Sequence, residues 1–361
     1  MRLVVLIPTM EVAGAQRVMV TLANTLARMD HQIDVVCLGS SGAMVDELAP
    51  EVGYHQLGAP TALRSIAKLR SILGELQPTA VISVLQGSYT SLMATAGQSN
   101  RPALIAGHHN RPREVRSIEN NSPRYRAVMA VLAAAYRGVD TTVVVCEDSR
   151  IELVEMLRMD PERFEVLPNP VDLEEISRLA ATGDPHPLLT EGHPSLVLVA
   201  SHTPKKRIGL AIEAMEHLPE HRLVVLGEGP LLNQHQRQID EAGLGDRVVL
   251  AGQWQNPFPS MLAADAVLST SISEALPLGL IEAVSLGAKV VATDSGSGTR
   301  DILSNYDGGV LVSGHQASEI AASVLGVANR QVDPAQVEAK RSTYNPVSVA
   351  NQYLELVEQY S

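Results

Sequence analysis

Short apolar runs alternate with stretches of helical periodicity along the whole chain. In the first half, the apolar runs predict strands at RLVVLIP, QIDVVCL, AVISVL, ALIAGHH, TTVVVCE and RFEVLPN. Between the first two runs, QRVMVTLANTLARM carries apolar side chains at helical spacing, at Val18, Val20, Leu22, Leu26 and Met29. A strand, a helix and a strand in this order predict a parallel sheet that is covered by helices.

The alternation begins again in the second half, with strands predicted at SLVLVAS, HRLVVLGEG, RVVLAGQ, AVLSTS, AKVVATD and GGVLVS. The stretch Ser177–Ser195 is rich in Gly, Pro and polar residues and is interpreted as a linker. The last segment is expected to be helical after Pro346. The pattern therefore predicts an α/β protein with two Rossmann-like domains, whose parallel sheets face each other across a cleft. Ligands of such sheets bind beyond the carboxyl ends of the strands.

Composition agrees with a globular chain of two domains, because 361 residues exceed the usual size of one domain. The net charge of −12 argues against a nucleic-acid partner. No apolar run reaches 18 residues, and MRLVVLIPTM meets polar residues too early for a signal peptide, so a cytoplasmic protein is expected. The two cysteines, Cys37 and Cys146, end strand-like runs and are predicted to be buried free thiols.

Two candidate positions lie at predicted strand ends in the first half. Gly14 stands between a strand ending near Pro8 and a helix beginning near Gln16, where backbone amides can meet an anion; an ordinary turn is the alternative. His108 and His109 end another strand and point to opposite faces, so at most one is expected to look into the cleft. A structural histidine is the alternative, and further ligands for a metal are missing.

A basic cluster follows a predicted strand of the second half. Lys205, Lys206 and Arg207 crowd the start of a helix after a strand that ends at Ser201. Cations are disfavoured at the positive end of a helix dipole, and a bound polyanion would resolve this conflict. A solvated basic turn is the alternative.

Two carboxylates stand in the otherwise apolar segment SEALPLGLIEAVSLGAKVVATDSGSG. A proline and a glycine frame a helix here, so Glu274 lies in the loop before the helix and Glu282 in its second turn. Phosphates would dock on the amides of Leu278 and Gly279. Glu282 can accept two hydrogen bonds from a ribose, and Glu274 can reach hydroxyls of a sugar beyond the phosphates. Two solvated helix positions are the alternative.

The order of these parts closely resembles the retaining glycosyltransferases of family 4, which have the GT-B fold, and the resemblance covers most of the chain. AGAQRVMVTLANTLARMDHQIDVVCL resembles the family's glycine loop and first helix, and VLPNPVD its interdomain crossing. The most specific match is SEALPLGLIEAVSLGAKVVATDSGSGTRDIL, which resembles the E-x7-E motif. The resemblance implies an acceptor domain of residues 1–170 plus 346–361, and a nucleotide-sugar domain of residues 171–345.

The resemblance also implies roles for single residues. It places Gly14 near the phosphates, Lys206 on the diphosphate, Glu282 at the ribose, and both His109 and Glu274 at the transferred sugar as the catalytic residues. Two departures from the family pattern concern donor binding. Ala13 stands in place of the first glycine of the loop, and Ser201, followed by His202, stands in place of a phosphate-binding arginine.

The implied activity is that of a hexosyltransferase, which moves a sugar from a nucleoside-diphosphate sugar to a hydroxyl of a glycan or lipid-linked acceptor with retention. Lys206 and the helix start at Leu278 would stabilise the leaving diphosphate, so neither a metal nor another cofactor is expected. Two alternatives stay open. A GT-B epimerase acting on a nucleotide sugar needs additional acid/base carboxylates, and a non-catalytic two-lobed sugar-binding protein is usually exported.

Positive charge is concentrated in residues 101–137. The seven arginines there are Arg101, Arg111, Arg113, Arg116, Arg124, Arg126 and Arg137. Because the cluster begins just past His109, we expect Arg111, Arg113 and Arg116 on the acceptor or membrane side, in a peripheral contact with anionic lipid. A core helix with a solvated face is the alternative.

Overall fold

The computed structural model describes residues 1–58, 62–84, 86–112 and 123–361. The chain divides into two compact units. The first unit contains Met1–Val171 together with Tyr344–Ser361, and the second contains Asp172–Thr343. Both cysteines are free and buried, as predicted.

The first unit is built on seven parallel strands in the order β3-β2-β1-β4-β5-β6-β7. The strands are β1 Arg2–Ile7, β2 Gln32–Cys37, β3 Gly53–Gln56, β4 Ala80–Val84, β5 Ala103–His108, β6 Thr141–Val144 and β7 Phe164–Val166. The apolar runs predicted six of them, because strands covered on both faces read as continuous apolar segments. The exception is β3, which pairs only with β2 at the edge of the sheet and has the polar sequence GYHQ.

The second unit contains six parallel strands in the order β10-β9-β8-β11-β12-β13. They are β8 Ser195–Val199, β9 Arg222–Leu226, β10 Val248–Leu250, β11 Ala266–Ser269, β12 Val290–Thr293 and β13 Gly309–Val312. All six coincide with the apolar runs of the second half, which confirms the predicted α/β alternation.

Helices cover both sheets. They are α1 Gly14–Arg28, α2 Ala62–Leu76, α3 Gln86–Thr95, α4 Pro123–Gly138, α5 Glu147–Leu157, α6 Leu173–Thr182, α7 Ile208–Ala214, α8 Leu232–Glu241, α9 Phe258–Ala263, α10 Leu278–Ser285, α11 Ser297–Leu303, α12 Ala317–Ala328, α13 Pro334–Tyr344 and α14 Pro346–Tyr360. As expected, the chain is helical after Pro346, and α14 packs against α1. Within the described ranges, no helix is long and apolar enough to cross a membrane.

The interpretation of Ser177–Ser195 as a linker was wrong for its first residues. Ser177 to Thr182 form the end of α6, which Asp172 caps by accepting a hydrogen bond from the amide of Glu175. Apolar side chains on α6 are buried, whereas glycine and proline begin only at Gly183. The helical periodicity therefore outweighs the polar composition of this stretch.

The two sheets share a strand order that reverses direction at one point, between β1 and β4 in the first unit and between β8 and β11 in the second. Loops that leave the two central strands separate there, one toward each face of the sheet, and create a crevice at the carboxyl edge. Gly14 follows β1. The basic cluster of Lys205, Lys206 and Arg207 follows β8, and Glu274 follows β11. The order of the strands thus assigns these candidates to the switch points.

Candidate active site

Two loops meet at the switch point of the second unit, one after β8 and one after β11. The first loop forms a short 3-10 turn over Pro204–Lys206, and Arg207 follows in a left-handed conformation with φ of 47°. The buried hydroxyl of Thr270 donates to the backbone oxygens of Lys206 (2.9 Å) and Arg207 (3.1 Å). The amide of Ile272 donates to the oxygen of Lys205 at 2.9 Å. These bonds fix the basic turn against the loop that carries Glu274.

Glu274 holds two lysines at this edge of the sheet. Lys206 Nζ lies 2.6 Å from Glu274 Oε1, and Lys205 Nζ lies 3.3 Å from Glu274 Oε2. Glu274 is 6% exposed. Burial raises the pKa of Glu274, but the attraction of Lys206 and Lys205 outweighs burial, so the pKa lies below its ordinary value. The carboxylate of Glu274 and the ammonium groups of Lys205 and Lys206 together carry a net charge of about +1.

A third loop, which follows β12, supports Glu274 from behind. The amide of Glu274 donates to the backbone oxygen of Ser295 at 2.9 Å. Gly298, in the first turn of α11, lies so near that a Cβ atom there would be 1.9 Å from the oxygen of Ala275. Only a glycine permits this approach. The glycine-rich sequence DSGSG therefore lets this loop pack against the segment that carries Glu274. The sequence showed the glycines without showing what they contact.

The helix α10 places the second carboxylate. Glu282 is 8% exposed, and its Oε2 lies 4.0 Å from the point where Gly279 would carry a Cβ atom. Its side chain therefore turns back toward the start of α10, as helical side chains do. Leu278 and Gly279 form the first turn and are partly exposed, and no side chain caps this helix start. In the sequence, Glu274 and Glu282 thus flank these uncapped backbone amides.

Backbone packing brings a further loop, after β9, to the same edge. A Cβ atom on Gly227 would lie 2.1 Å from the oxygen of Ala200, and one on Gly229 would lie 2.7 Å from the amide nitrogen of His202. Both glycines have positive φ, at 149° and 155°. The sequence analysis missed this support, although the repeated glycine in LGEGP was a signal for it.

His202 does not supply the positive charge that a phosphate-binding arginine would provide. Its side chain is fully buried, and its Nδ1 lies 2.8 Å from Nδ1 of His235. Burial lowers the pKa of His202, so the ring stays neutral at neutral pH. Ser201 is exposed beside it. The cations that follow β8 at this edge are Lys205, Lys206 and Arg207.

Gly14 is the first residue of α1, at the switch point of the first unit. Ala13 precedes it with φ of −153°, which is an extended conformation open to any residue. The replacement of a glycine by Ala13 therefore causes no backbone strain. Both residues are exposed, and α1 begins without a side-chain cap or an acidic residue in its first turn.

The adjacent histidines at the end of β5 have different partners. His108 is buried, and its Nδ1 lies 2.8 Å from the hydroxyl of Tyr136. His109 is partly exposed, and its Nδ1 lies 3.1 Å from Oδ1 of Asn169. Burial lowers the pKa of each ring to about 4, so both are neutral at neutral pH. His108 is thus the structural histidine, and Asn169 is a neighbour of His109 that the sequence analysis did not single out.

Arg111, an arginine of the basic cluster, pairs with carboxylates of the first unit. Arg111 Nε donates to Glu152 Oε1 at 3.1 Å, and its Nη2 lies 3.3 Å from Asp148. Glu152 is 2% exposed, so Arg111 supplies a counter-charge to a buried carboxylate. We expected Arg111 on the acceptor or membrane side; its ion pairs within the first unit do not test that expectation, which stays a prediction. Arg113 and Arg116 lie outside the described residues, so their predicted position stays a prediction.

The described part of the chain contains no group of three or more His, Cys, Asp or Glu side chains arranged to hold a metal ion. The polar groups that converge at the carboxyl edge of the second sheet are instead lysines, helix amides and two carboxylates. This combination can bind a phosphorylated ligand that also presents hydroxyl groups.

Comparison with known proteins defines the class of the molecule as a glycosyltransferase. The model of Glycosyltransferase Family 4 matches residues 12–175, and the model of Glycosyl transferases group 1 matches residues 184–342. The chain belongs to the family 4 type of glycosyltransferases, which confirms the resemblance seen in the sequence.

Relatives agree with this assignment. The exopolysaccharide phosphotransferase of Streptomyces coelicolor is 26% identical over 295 residues, which cover 80% of this chain and 28% of that protein. The chain therefore spans less than a third of that relative. The UDP-Gal:alpha-D-GlcNAc-diphosphoundecaprenol alpha-1,3-galactosyltransferase of Escherichia coli is 26% identical over 315 residues, with 82% of this chain and 80% of that enzyme covered.

A solved structure shows the same fold. The crystal structure of Anabaena HepE in complex with UDP and glucose has a TM-score of 0.79 to this chain, at 17% identity, with 99% of this chain and 100% of that chain covered. The predicted fold class is therefore confirmed as α/β and GT-B, with two Rossmann-like units built on parallel sheets.

Proposed function

We propose that the protein is a retaining hexosyltransferase, which moves a sugar from a nucleoside-diphosphate sugar to a hydroxyl of a glycan or lipid-linked acceptor. The observation that carries this proposal is the contact of Glu274 with Lys205 and Lys206 at the switch point between β8 and β11. Cations, helix amides and a buried carboxylate at one sheet edge match the three parts of such a donor, which are diphosphate, ribose and sugar.

The donor would bind along the loops of the second unit. Lys206 would hold the diphosphate through its positive charge. The amides of Leu278 and Gly279 would hold it as well, because they lie at the positive end of a helix and no side chain caps them. Glu282, turned back toward the same helix start, would accept hydrogen bonds from the ribose hydroxyls. Glu274 would contact the transferred sugar while keeping Lys206 in place. Gly14, at the switch point of the first unit, is proposed to lie near the phosphates, as in the family.

The reaction breaks the bond between the anomeric carbon and the diphosphate oxygen and forms a bond from that carbon to the acceptor oxygen. The acceptor proton passes to the departing diphosphate. Negative charge grows on the diphosphate as it leaves, and Lys206 with the start of α10 would stabilise it by electrostatics fixed before the reaction. Retention is inferred from the family, and attack from the face of the leaving group gives that outcome without a protein nucleophile.

His109 is proposed to act on the transferred sugar as well, in keeping with the family resemblance. It is neutral at neutral pH because burial lowers its pKa to about 4. A neutral imidazole can accept a hydrogen bond from a hydroxyl group but adds no charge to the site. We therefore assign it a role in placing the sugar and not one as a general acid.

No metal or other cofactor is proposed for the reaction. The positive charge that the leaving diphosphate needs would come from Lys206, Lys205 and the helix amides. Activity that persists in EDTA would support this view. Loss of activity in EDTA that magnesium or manganese restores would contradict it.

The acceptor is proposed to be lipid-linked, and the first unit to meet an anionic membrane peripherally. The name of the Escherichia coli relative specifies a diphosphoundecaprenol-linked sugar. On α4, Arg126 is exposed next to exposed small and apolar side chains such as Ala130 and Val131. A basic residue near anionic lipid contributes about 1 kcal/mol, which salt weakens.

Vesicle binding tests the membrane part of the proposal. Arg113→Gln combined with Arg116→Gln should weaken binding to vesicles that contain anionic lipid at low salt. Arg178→Gln combined with Arg237→Gln removes two exposed charges of the second unit and serves as the matched control. If the unaltered protein ignores such vesicles at low salt, the acceptor is a soluble glycan and the arginines form a solvated face.

Incubation with nucleotide sugars tests the function itself. UDP- and GDP-sugars are each supplied with and without a polyprenyl-diphosphate sugar, and the products are followed by NMR, which reports the anomeric configuration. A product with retained configuration that needs the acceptor supports the proposal. An altered sugar still bound to its nucleotide would identify an epimerase, and binding without turnover would identify a sugar-binding protein.

A further inference from the structure

Asn169 occupies a rigid position between two prolines, in the sequence Pro168–Asn169–Pro170. The residues just outside this segment are pinned by the backbone. The amide of Leu167 donates to the oxygen of Val144 at 2.9 Å, and the amide of Val171 donates to the oxygen of Tyr344 at 3.0 Å. Proline fixes φ near −65°, so the segment has little freedom left. The side chain of Asn169, 5% exposed, is therefore presented at a fixed point.

The hydrogen bond between Asn169 and His109 carries information about the imidazole proton. Oδ1 of Asn169 can only accept, so the atom that faces it at 3.1 Å, His109 Nδ1, must donate. A neutral imidazole carries one proton, which leaves Nε2 as an acceptor. Within the described part of the chain, Nε2 is enclosed and has no hydrogen-bond partner.

We infer that Asn169 is a positioning residue that holds His109 as the neutral tautomer protonated on Nδ1, and so keeps Nε2 as an acceptor, which a hydroxyl of the substrate reaches only when the atoms that enclose Nε2 move aside. The last clause rests on the proposed function, whereas the tautomer is a property of the protein alone. A second proton on the enclosed Nε2 would be buried without an acceptor, which disfavours the charged ring. Among the described residues, His108 is an ionisable neighbour of His109, and its own Nδ1 faces the hydroxyl of Tyr136.

The tautomer can be read directly by two-bond nitrogen–proton correlation spectra of the imidazole groups in the unliganded protein. The signals of His109 are assigned with His109→Gln, in which they vanish. At neutral pH we expect Nδ1 of His109 to be protonated and Nε2 to be bare. A ring protonated on Nε2, or on both nitrogens, at neutral pH would overturn the inference.

A substitution at the partner tests the cause. Asn169→Asp keeps the shape but places a carboxylate beside Nδ1, which should raise the pKa of His109 by about 1–3 units. Asn351→Asp adds the same charge at an exposed site on α14 and should leave the ring unchanged. An unshifted His109 titration in folded Asn169→Asp contradicts the assignment. If that variant does not fold, the spectrum of the unaltered protein still decides between the tautomers.

Kinetics separates this inference from the proposed function. Where transfer is measurable, kcat of Asn169→Asp should fall as the pH drops through the raised pKa of His109, because protonation removes the acceptor. It should recover above that pKa, which a merely structural defect would not do. A Nδ1-protonated His109 in a protein that transfers no sugar supports the tautomer and counts against the proposed function.

Discussion

Lys206 donates a hydrogen bond of 2.6 Å to Glu274, although the two residues lie 68 positions apart in the sequence. Lys205 approaches the second oxygen of the same carboxylate at 3.3 Å. The contact joins the loops that leave the two central strands of the second sheet, β8 and β11. A phosphorylated donor that binds here would meet lysines that are already oriented, because Glu274 holds them before the ligand arrives.

The pH dependence of stability tests whether Glu274 is ionised in this contact. Its pKa is lowered in the folded protein by Lys206 and Lys205 against the effect of burial. A lowered folded pKa contributes stability that is present at neutral pH and is lost as the pH falls through that pKa. Glu274→Gln should therefore be less stable than the unaltered protein at neutral pH.

That difference should shrink as the pH falls through the lowered pKa of Glu274, because the carboxyl group of the unaltered protein then becomes neutral too. Denaturant titrations at several pH values measure it. Glu213→Gln, a change at an exposed position of α7, controls for loss of one carboxylate elsewhere in the same unit. If the difference in the free energy of unfolding between Glu274→Gln and the unaltered protein is the same at every pH, the lysines do not stabilise the ionised form of Glu274.

Gly298 should be intolerant of a side chain. In Gly298→Ala the new methyl group would lie 1.9 Å from the oxygen of Ala275, so the loop next to Glu274 must shift. We expect destabilisation of about 1–3 kcal/mol, as in other overpacked sites, and a larger loss in kcat than in nucleotide affinity. Gly326→Ala has open space within α12 and should stabilise by about 0.5–1 kcal/mol. Equal behaviour of the two variants would argue against a role for Gly298.

The ribose assignment of Glu282 predicts a specific pattern of nucleotide binding. The unaltered protein should bind the 2′-deoxy form of its nucleoside diphosphate roughly ten- to a hundredfold more weakly than the ribose form, since a charge-assisted hydrogen bond contributes about 1.5–3 kcal/mol. Glu282→Ala should bind both forms weakly and nearly equally. Glu213→Ala, on the exposed face of α7, is the control. A Glu282→Ala protein that still distinguishes the two nucleotides would place the ribose elsewhere.

The apolar runs were sufficient to predict the alternating α/β architecture, because buried parallel strands need nearly continuous apolar sequence. The edge strand Gly53–Gln56 was not predicted, since an edge strand tolerates polar residues and needs no continuous apolar run. The motif around Glu274 and Glu282 was also visible, because its two carboxylates interrupt an apolar segment. Local sequence thus carried both the strand pattern and the position of the loops at the sheet edge.

Contacts between distant segments could not be predicted in this way. The basic cluster at Lys206 was expected to need a polyanion, but Glu274 already supplies one counter-charge. The pairing of Arg111 with Glu152 was hidden for the same reason, since each residue alone looks like a solvated charge. Such partners depend on which loops the sheet order brings together, and that order is not encoded in any local pattern.

Isothermal titration of UDP and GDP into the unaltered protein and Lys206→Ala tests the central claim most directly. Lys289→Ala is the matched control. Lys289 lies just before β12, at the amino ends of the strands and away from the proposed site, and its Nζ donates to the oxygen of Ala328. We expect one of the two nucleotides to bind the unaltered protein and Lys289→Ala alike, and to bind Lys206→Ala roughly ten- to a hundredfold more weakly. Undiminished binding in folded Lys206→Ala, or no binding of either nucleotide to the unaltered protein, would contradict a nucleoside-diphosphate site at Lys206 and Glu274.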